Sequence, residues 1–515
     1  MRQNVHVKLL LGLLLLVGLA AVAAADVTMP AMFADHMVLQ REIAIPVWGW
    51  ADAGEKVTVN LGDQTKSATA DSDGKWSVRL SALEAGGPHT LKIKGNNAIE
   101  IGDVLVGEVW LGSGQSNMAM TVSRSANFDQ EQAAADHPQF RMLAVDRVTA
   151  ETPQDRCGAT WQVCTPETVG GFSATAYFFG RELHKELGVP VGLINSSWGG
   201  TPVQAWTCLK AQKAVAELEP MLASWEQQIA NYNPEAAKAQ YEKQLAAWKA
   251  KAAEAKTAGR EAPRRPRPPV DPKVAPHRPA SLFNGMIAPL APYALRGAIW
   301  YQGESNAGGT AANLYGLQLA TMIENWRQVW GQGDFAFEWV QLPNFRTPQK
   351  EPVETSGWVI VQEQMLKTLA VANTGMAITI DIGEADNIHP MNKQDVGKRL
   401  ALWALGTTHG QNVVYSGPLY KSMRKQDGKI VLEFDHTGDG LAAKGGKLKG
   451  FAIAGEDQQF VFADAEIAAG KVVVSSPDVK NPVAVRYAWA DNPDCNLYNS
   501  AGLPASPFRT DEWEK

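Results

Sequence analysis

Between about residues 106 and 410, short apolar runs alternate with amphipathic segments, and this alternation limits the possible folds more than any other feature of the chain. Residues 104–111, 191–195, 297–301, 335–341 and 376–380 are apolar enough to be strands buried on both faces. Residues 173–187, 311–329, 361–371 and 393–407 have apolar positions at helical spacing. Strand–helix alternation of this kind predicts an α/β domain, a parallel sheet with helices on both faces.

The flanking regions read differently. Residues 26–105 show short strand-like runs, with Asp71-Ser72-Asp73-Gly74 as hairpin-turn chemistry, and predict an N-terminal β-sandwich. Residues 411–515 return to short strands between Gly, Asp and Asn turns and predict a C-terminal β-rich domain. Within the α/β region, residues 208–270 form a helical insertion rich in Ala, Lys, Glu and Gln. It is closed by the basic proline run at 263–269. A length of 515 residues suits such a multi-domain plan.

Residues 1–25 read as an export signal: Arg2 and Lys8, an apolar run over 9–21, then Ala23-Ala24-Ala25 before Asp26. The expected location is periplasmic or extracellular, with no stable membrane span. A net charge of −6 gives no basic face for nucleic acid. In an oxidising compartment Cys157 and Cys164 are a candidate disulfide, while Cys208 and Cys495 remain unassigned. Four cysteines without clustered histidines make a poor metal site, and no metal or cofactor is expected.

The chemistry concentrates at strand ends. The run 104–111 leads directly into Gly112-Ser113-Gly114-Gln115-Ser116-Asn117. A serine on a tight glycine turn, near backbone N–H groups, is placed as a nucleophile if a base removes its proton. Of nine histidines, His389 stands in Asp386-Asn387-Ile388-His389-Pro390, just past the run 376–380. That is the sheet edge where α/β sites form. Asp386, three residues earlier, is the candidate to orient the imidazole. For the oxyanion, the backbone N–H groups of Ser116 and Gly200 are candidates, with a side-chain donor from Gln302 or Asn306. Gln115, Trp198, Tyr301 and Glu304 are candidate substrate contacts.

These blocks together resemble the SGNH-hydrolase superfamily, and within it the sialate O-acetylesterase family. The resemblance is carried by Gly114-Gln115-Ser116-Asn117-Met118, Trp198-Gly199-Gly200-Thr201, Trp300-Tyr301-Gln302-Gly303-Glu304-Ser305-Asn306 and Asp386-Asn387-Ile388-His389-Pro390. Met37-Val38-Leu39-Gln40 and the stretch from Arg278-Pro279-Ala280 to Asn284-Gly285 add to it. It implies a flavodoxin-like SGNH domain and a cofactor-free, two-step serine esterase acting on O-acetylated sialic acid or a related acetylated carbohydrate. Where many superfamily members have Gly-x-Asn, this chain has Gln302-Gly303-Glu304.

Two rival readings share the same residues: an esterase of acetylated xylan or another glycan, and a non-catalytic carbohydrate-binding protein on an esterase scaffold. Trp198, Trp300 and Tyr301 beside the active turns are expected to crowd the acyl side and favour acetyl over longer chains.

Overall fold

The computed structural model describes residues 26–513; the expected export signal lies outside them. Its central sheet contains the strands Ala98–Gly114, His137–Val145, Ala159–Cys164, Val191–Ser197, Gly297–Tyr301, Ala336–Val340 and Thr374–Ala377. Five of them lie side by side in the order Val191–Ser197, Ala98–Gly114, Gly297–Tyr301, Ala336–Val340, Thr374–Ala377, all parallel. Numbered along the chain this is the order 2-1-3-4-5. His137–Val145 adds in parallel beside Val191–Ser197, and Ala159–Cys164 closes that edge antiparallel.

Both faces of the sheet are buried, which explains the unbroken apolar runs. On one face Trp110, Ile299 and Val340 pack under the helices Ala174–Leu187 and Lys393–Trp403. On the other, Leu111, Trp300 and Trp339 meet Trp326 and Val361 from the helices Tyr315–Trp330 and Gly357–Thr368. The helix ends are legible chemically. The Ser173 side chain accepts from Ala176 N at the start of Ala174–Leu187, and Gly188 ends it at φ 64°.

The N-terminal strands do not stand apart from this sheet. Ala98–Gly114 is 17 residues long and crosses the position expected for a domain boundary. Its first half pairs antiparallel with Gly86–Lys94, and its second half is the middle of the parallel sheet. Val38–Gln40 also pairs with it, in parallel, at Leu105–Gly107.

In the expected insertion lie the helices Leu209–Lys213, Glu219–Asn231 and Pro234–Thr257, the last mostly exposed. The proline run folds back on it: Trp248 Nε1 donates to Pro263 O at 2.6 Å. In the C-terminal region Leu419–Gln426, Lys429–Asp435, Lys471–Ser475 and Asp464–Ala468 form an antiparallel sheet. No helix among the described residues is long and apolar enough to cross a membrane.

The expected Cys157–Cys164 disulfide is absent; all four cysteines are free. The strand Ala159–Cys164 lies between the two thiols. At about 3.3 Å per residue an extended segment of that length holds its ends far beyond disulfide reach. Burial pushes the Cys157 thiol up to about 11 and Cys164 to about 12, so neither is reactive near neutral pH.

The centre of the sheet has no room at one point. Gly114 has φ +136°, and a Cβ there would stand 2.2 Å from Tyr301 O on the neighbouring strand. Gly114→Ala is therefore expected to lose about 1–3 kcal/mol of stability from the backbone conformation alone, and more from the clash. Urea unfolding of the variant checks this; a midpoint equal to wild type would contradict it.

Candidate active site

The strand Ala98–Gly114 ends at the nucleophile candidate. Gln115 N donates to Tyr301 O at 2.9 Å, and Trp198 N donates to Gly114 O at 3.0 Å. These two bonds tie the turn before Ser116 to the ends of both neighbouring strands. Ser116 then opens the short helical turn Ser116–Ala119. Its Oγ lies 2.8 Å from His389 Nε2, across 273 residues of sequence. Both residues are half-buried at the C-terminal edge of the sheet.

The glycine turn after Val191–Ser197 reaches the same point. A Cβ on Gly199 would stand 3.3 Å from Ser116 Cβ, so the two residues are in contact. Gly200, at φ +78°, follows on the exposed side and holds no side chain over the serine. Thr201 Oγ1 donates to Trp198 O at 2.7 Å and accepts from Trp206 Nε1 at 3.0 Å, which fixes the turn from behind.

Gln302 and Asn306 differ from expectation. The Gln302 amide nitrogen donates to Asn306 Oδ1 at 2.8 Å, with Gln115 Oε1 and Thr201 O at 3.2 and 3.3 Å. Asn306 Nδ2 lies 3.2 Å from both Gln204 Oε1 and Gln318 Oε1. Both amides are buried and engaged within the protein, so they brace the third strand end instead of facing an oxyanion. Gln115, 3% exposed, belongs to the same brace: its Oε1 also accepts from Ser305 N at 3.1 Å.

Asp386 also stands elsewhere. It is exposed, and no hydrogen bond joins it to His389. The reason is a tight turn. Asn387 N donates to Glu384 O, and Asn387 Nδ2 donates to Glu384 Oε2 at 2.9 Å. This leaves Ala385 and Asp386 as the outward corner. The other nearby carboxylates are committed: Asp381 pairs with Arg399 at 2.6 and 2.9 Å and accepts from Tyr498 Oη at 3.1 Å. Glu384 Oε1 accepts from Met391 N at 2.6 Å.

The aromatic residues expected to crowd the acyl side face inward. Trp300 and Tyr301 are fully buried; Trp300 packs edge-on against Trp206 and Trp326. Trp198 alone of the three is partly exposed. Glu304 likewise points in, its Oε1 accepting from Asn117 Nδ2 at 2.6 Å. Tyr301 is thus part of the interior, while Glu304 is half-buried with its carboxylate turned inward to Asn117.

Sequence reasoning marked Asn117 as a brace for the turn but missed its partner Lys393. Asn117 Oδ1 accepts from Lys393 Nζ at 2.8 Å, and the lysine is completely buried. Burial brings Lys393 down to about 7, against the pull of Glu304 and Glu384. Burial raises Glu304 above the usual carboxylate range, opposed by Asn117 and Lys393.

The family model for carbohydrate esterases described as sialic acid-specific acetylesterase matches residues 106–252 and 277–405. The chain belongs to that family. The sialate O-acetylesterase of Homo sapiens is 30% identical over 526 residues, covering 92% of this chain and 90% of the relative. That of Mus musculus is 30% identical over 527 residues, covering 92% of each. Among solved structures, a carbohydrate acetylesterase from Xanthomonas citri aligns with a TM-score of 0.80 at 39% identity, over 95% of this chain and 100% of that one. The family match breaks between 252 and 277, at the end of the exposed helix and the proline run, and leaves every strand-end block of the carbohydrate esterase inside it.

His389 is lowered from its ordinary value, first by burial and then by the positive charges of Lys393 and Arg124. A general base at this position must be neutral to act, so activity is expected to rise with pH through this ionisation. The acid limb of kcat/KM is expected to have its midpoint below the ordinary imidazole value of about 6.5. A pH–rate profile on an acetyl ester checks it; a midpoint above that value would contradict the geometry.

Proposed function

We propose that the chain is a serine O-acetylesterase of sialic acids or related acetylated glycans, with Ser116 as nucleophile and His389 as general base. The 2.8 Å approach of Ser116 Oγ to His389 Nε2 at the C-terminal edge of the sheet carries the reading. The family match and the acetylesterase relatives supply the bond type and the sugar. The 2-1-3-4-5 strand order supports an SGNH-type, flavodoxin-like hydrolase domain.

The mechanism follows from the side chains present. Ser116 Oγ attacks the acetyl carbonyl as His389 Nε2 takes its proton. In this reading the backbone N–H groups of Ser116 and Gly200 donate to the oxyanion, and the engagement of the Gln302 amide within the protein supports that choice. His389 then returns the proton to the departing sugar oxygen. A water, deprotonated by the same histidine, attacks the acetyl-enzyme and releases acetate. Within this reading Asp386 supports the imidazole charge from the rim, not by a direct hydrogen bond.

The decisive experiment measures kcat/KM on nitrophenyl acetate, then on O-acetylated sialic acids and acetylated xylan. Ser116→Ala is expected to remove activity by about 10⁴-fold or more. Asp386→Asn is expected to keep the fold and retain more activity than Ser116→Ala. An active Ser116→Ala enzyme would end the serine mechanism. Preference for acetylated xylan over acetylated sialic acid would replace the sugar and keep the chemistry.

A further inference from the structure

His389 is held in an unusual way. Its Nδ1 has no hydrogen-bond partner among the described residues, so nothing grips the far side of the ring. The peptide groups on either side of it are gripped instead. Asn117 Nδ2 donates to Ile388 O at 3.0 Å, and Lys393 Nζ donates to Pro390 O at 2.6 Å. Lys393 and Asn117 are themselves joined at 2.8 Å. Asn117 directly follows the nucleophile in sequence, and Ile388 and Pro390 flank the base. One buried bridge therefore sets the distance between the two reacting groups.

The bridge has a defined polarity. The Asn117 amide lies between a lysine and a carboxylate, its oxygen toward Lys393 and its nitrogen toward Glu304. The Lys393 ammonium also sits over the Tyr301 ring, 5.4 Å from its centre. Its place in the fold is otherwise unfavourable. Lys393 is the first residue of the helix Lys393–Trp403, where the macrodipole disfavours a cation, and it is fully buried. A lysine kept there against both effects has a task that packing alone does not explain.

We propose that Lys393, acting through Asn117 and the carbonyl of Pro390, is the positioning residue that holds His389 in line with Ser116. The proposal rests on Ser116 and His389 being the reacting pair. Its second consequence is electrostatic. The charged groups around the base and the lysine are Arg124 on the helical turn Val122–Arg124, Glu304 after Gly297–Tyr301, and Glu384 on the loop of His389 itself. Lys393 and Arg124 favour the neutral imidazole. Lys393, at about 7, carries its charge through the acid limb, where the protonation of His389 decides the rate. Its two donated bonds persist when it loses a proton, because a neutral amine still has two N–H groups.

The test is a steady-state and pH comparison on nitrophenyl acetate, with folding checked by circular dichroism and thermal melting. Lys393→Met is expected to lower kcat about tenfold or more while KM stays within about threefold, because the loss falls on the reacting geometry. Its acid limb is expected to move up by about one pH unit, because the imidazole loses a neighbouring positive charge. A folded Lys393→Met enzyme with wild-type kcat and an unmoved limb overturns the proposal. If that variant does not fold, Asn117→Ala decides: it removes the amide that joins Lys393 to the Ile388 carbonyl. Its kcat is expected to fall about tenfold or more with KM within about threefold, and a folded variant with wild-type kcat overturns the proposal. Both results are read as ratios to active wild type, so they are separate from the Ser116→Ala result that tests the nucleophile.

Discussion

The active site depends on two backbones lying closer than any side chain permits. Gly114 rests against the carbonyl of Tyr301, and the strand Ala98–Gly114 is therefore able to carry Ser116 to the level where its neighbours end. The bonds from Gln115 N to Tyr301 O and from Trp198 N to Gly114 O follow from that approach. Three separate turns meet because one position has no Cβ. Around them, buried amides lock together: Gln115, Gln302 and Asn306 bond with each other and with the neighbouring main chain. The amide nitrogens of Gln302 and Asn306 are all engaged there, while Gln302 Oε1 is buried without a partner among the described residues. The outer side, at Gly199 and Gly200, stays open.

His389 arrives from a different direction and is supported by a different part of the chain. The loop from Asp381 to His389 is held at its root by Arg399 and by Tyr498 of the C-terminal region. Gly383 N donates to Asn344 Oδ1 at 2.7 Å, and Asn344 Nδ2 donates to Asn492 Oδ1 at 2.9 Å. The C-terminal β region thus takes part in placing the loop of His389, a role that its strand pattern did not suggest.

What could be read from the sequence was what local chemistry determines. Apolar runs of five to eight residues announced the parallel strands, and glycine turns at their ends announced Ser116, Gly200 and the loop at Gln302. His389 was found because it follows the last strand of the sheet. The misses share a cause: each depends on where a side chain points. Spacing put Asp386 near His389, but a turn closed by Glu384 and Asn387 sends it outward. Trp300 and Tyr301 flank an active turn, yet both faces of a parallel strand are interior. The pairing of Cys157 with Cys164 ignored the extended strand between them. Lys393 looked like an ordinary helix residue. A cation in the first turn of a helix, just after a His-Pro pair, was the available signal.

The strand Ala98–Gly114 has a mechanical consequence. A linker between two parts of a protein normally permits them to swing, because no ladder of hydrogen bonds crosses it. Here the crossing is made by one uninterrupted strand, paired along both halves and flanked by Val38–Gln40. Bending it would break main-chain bonds in the middle of a sheet. The N-terminal strands that pair with it are therefore not a detachable module, and exchanging them for another sandwich would mean rebuilding the strand that leads into Ser116.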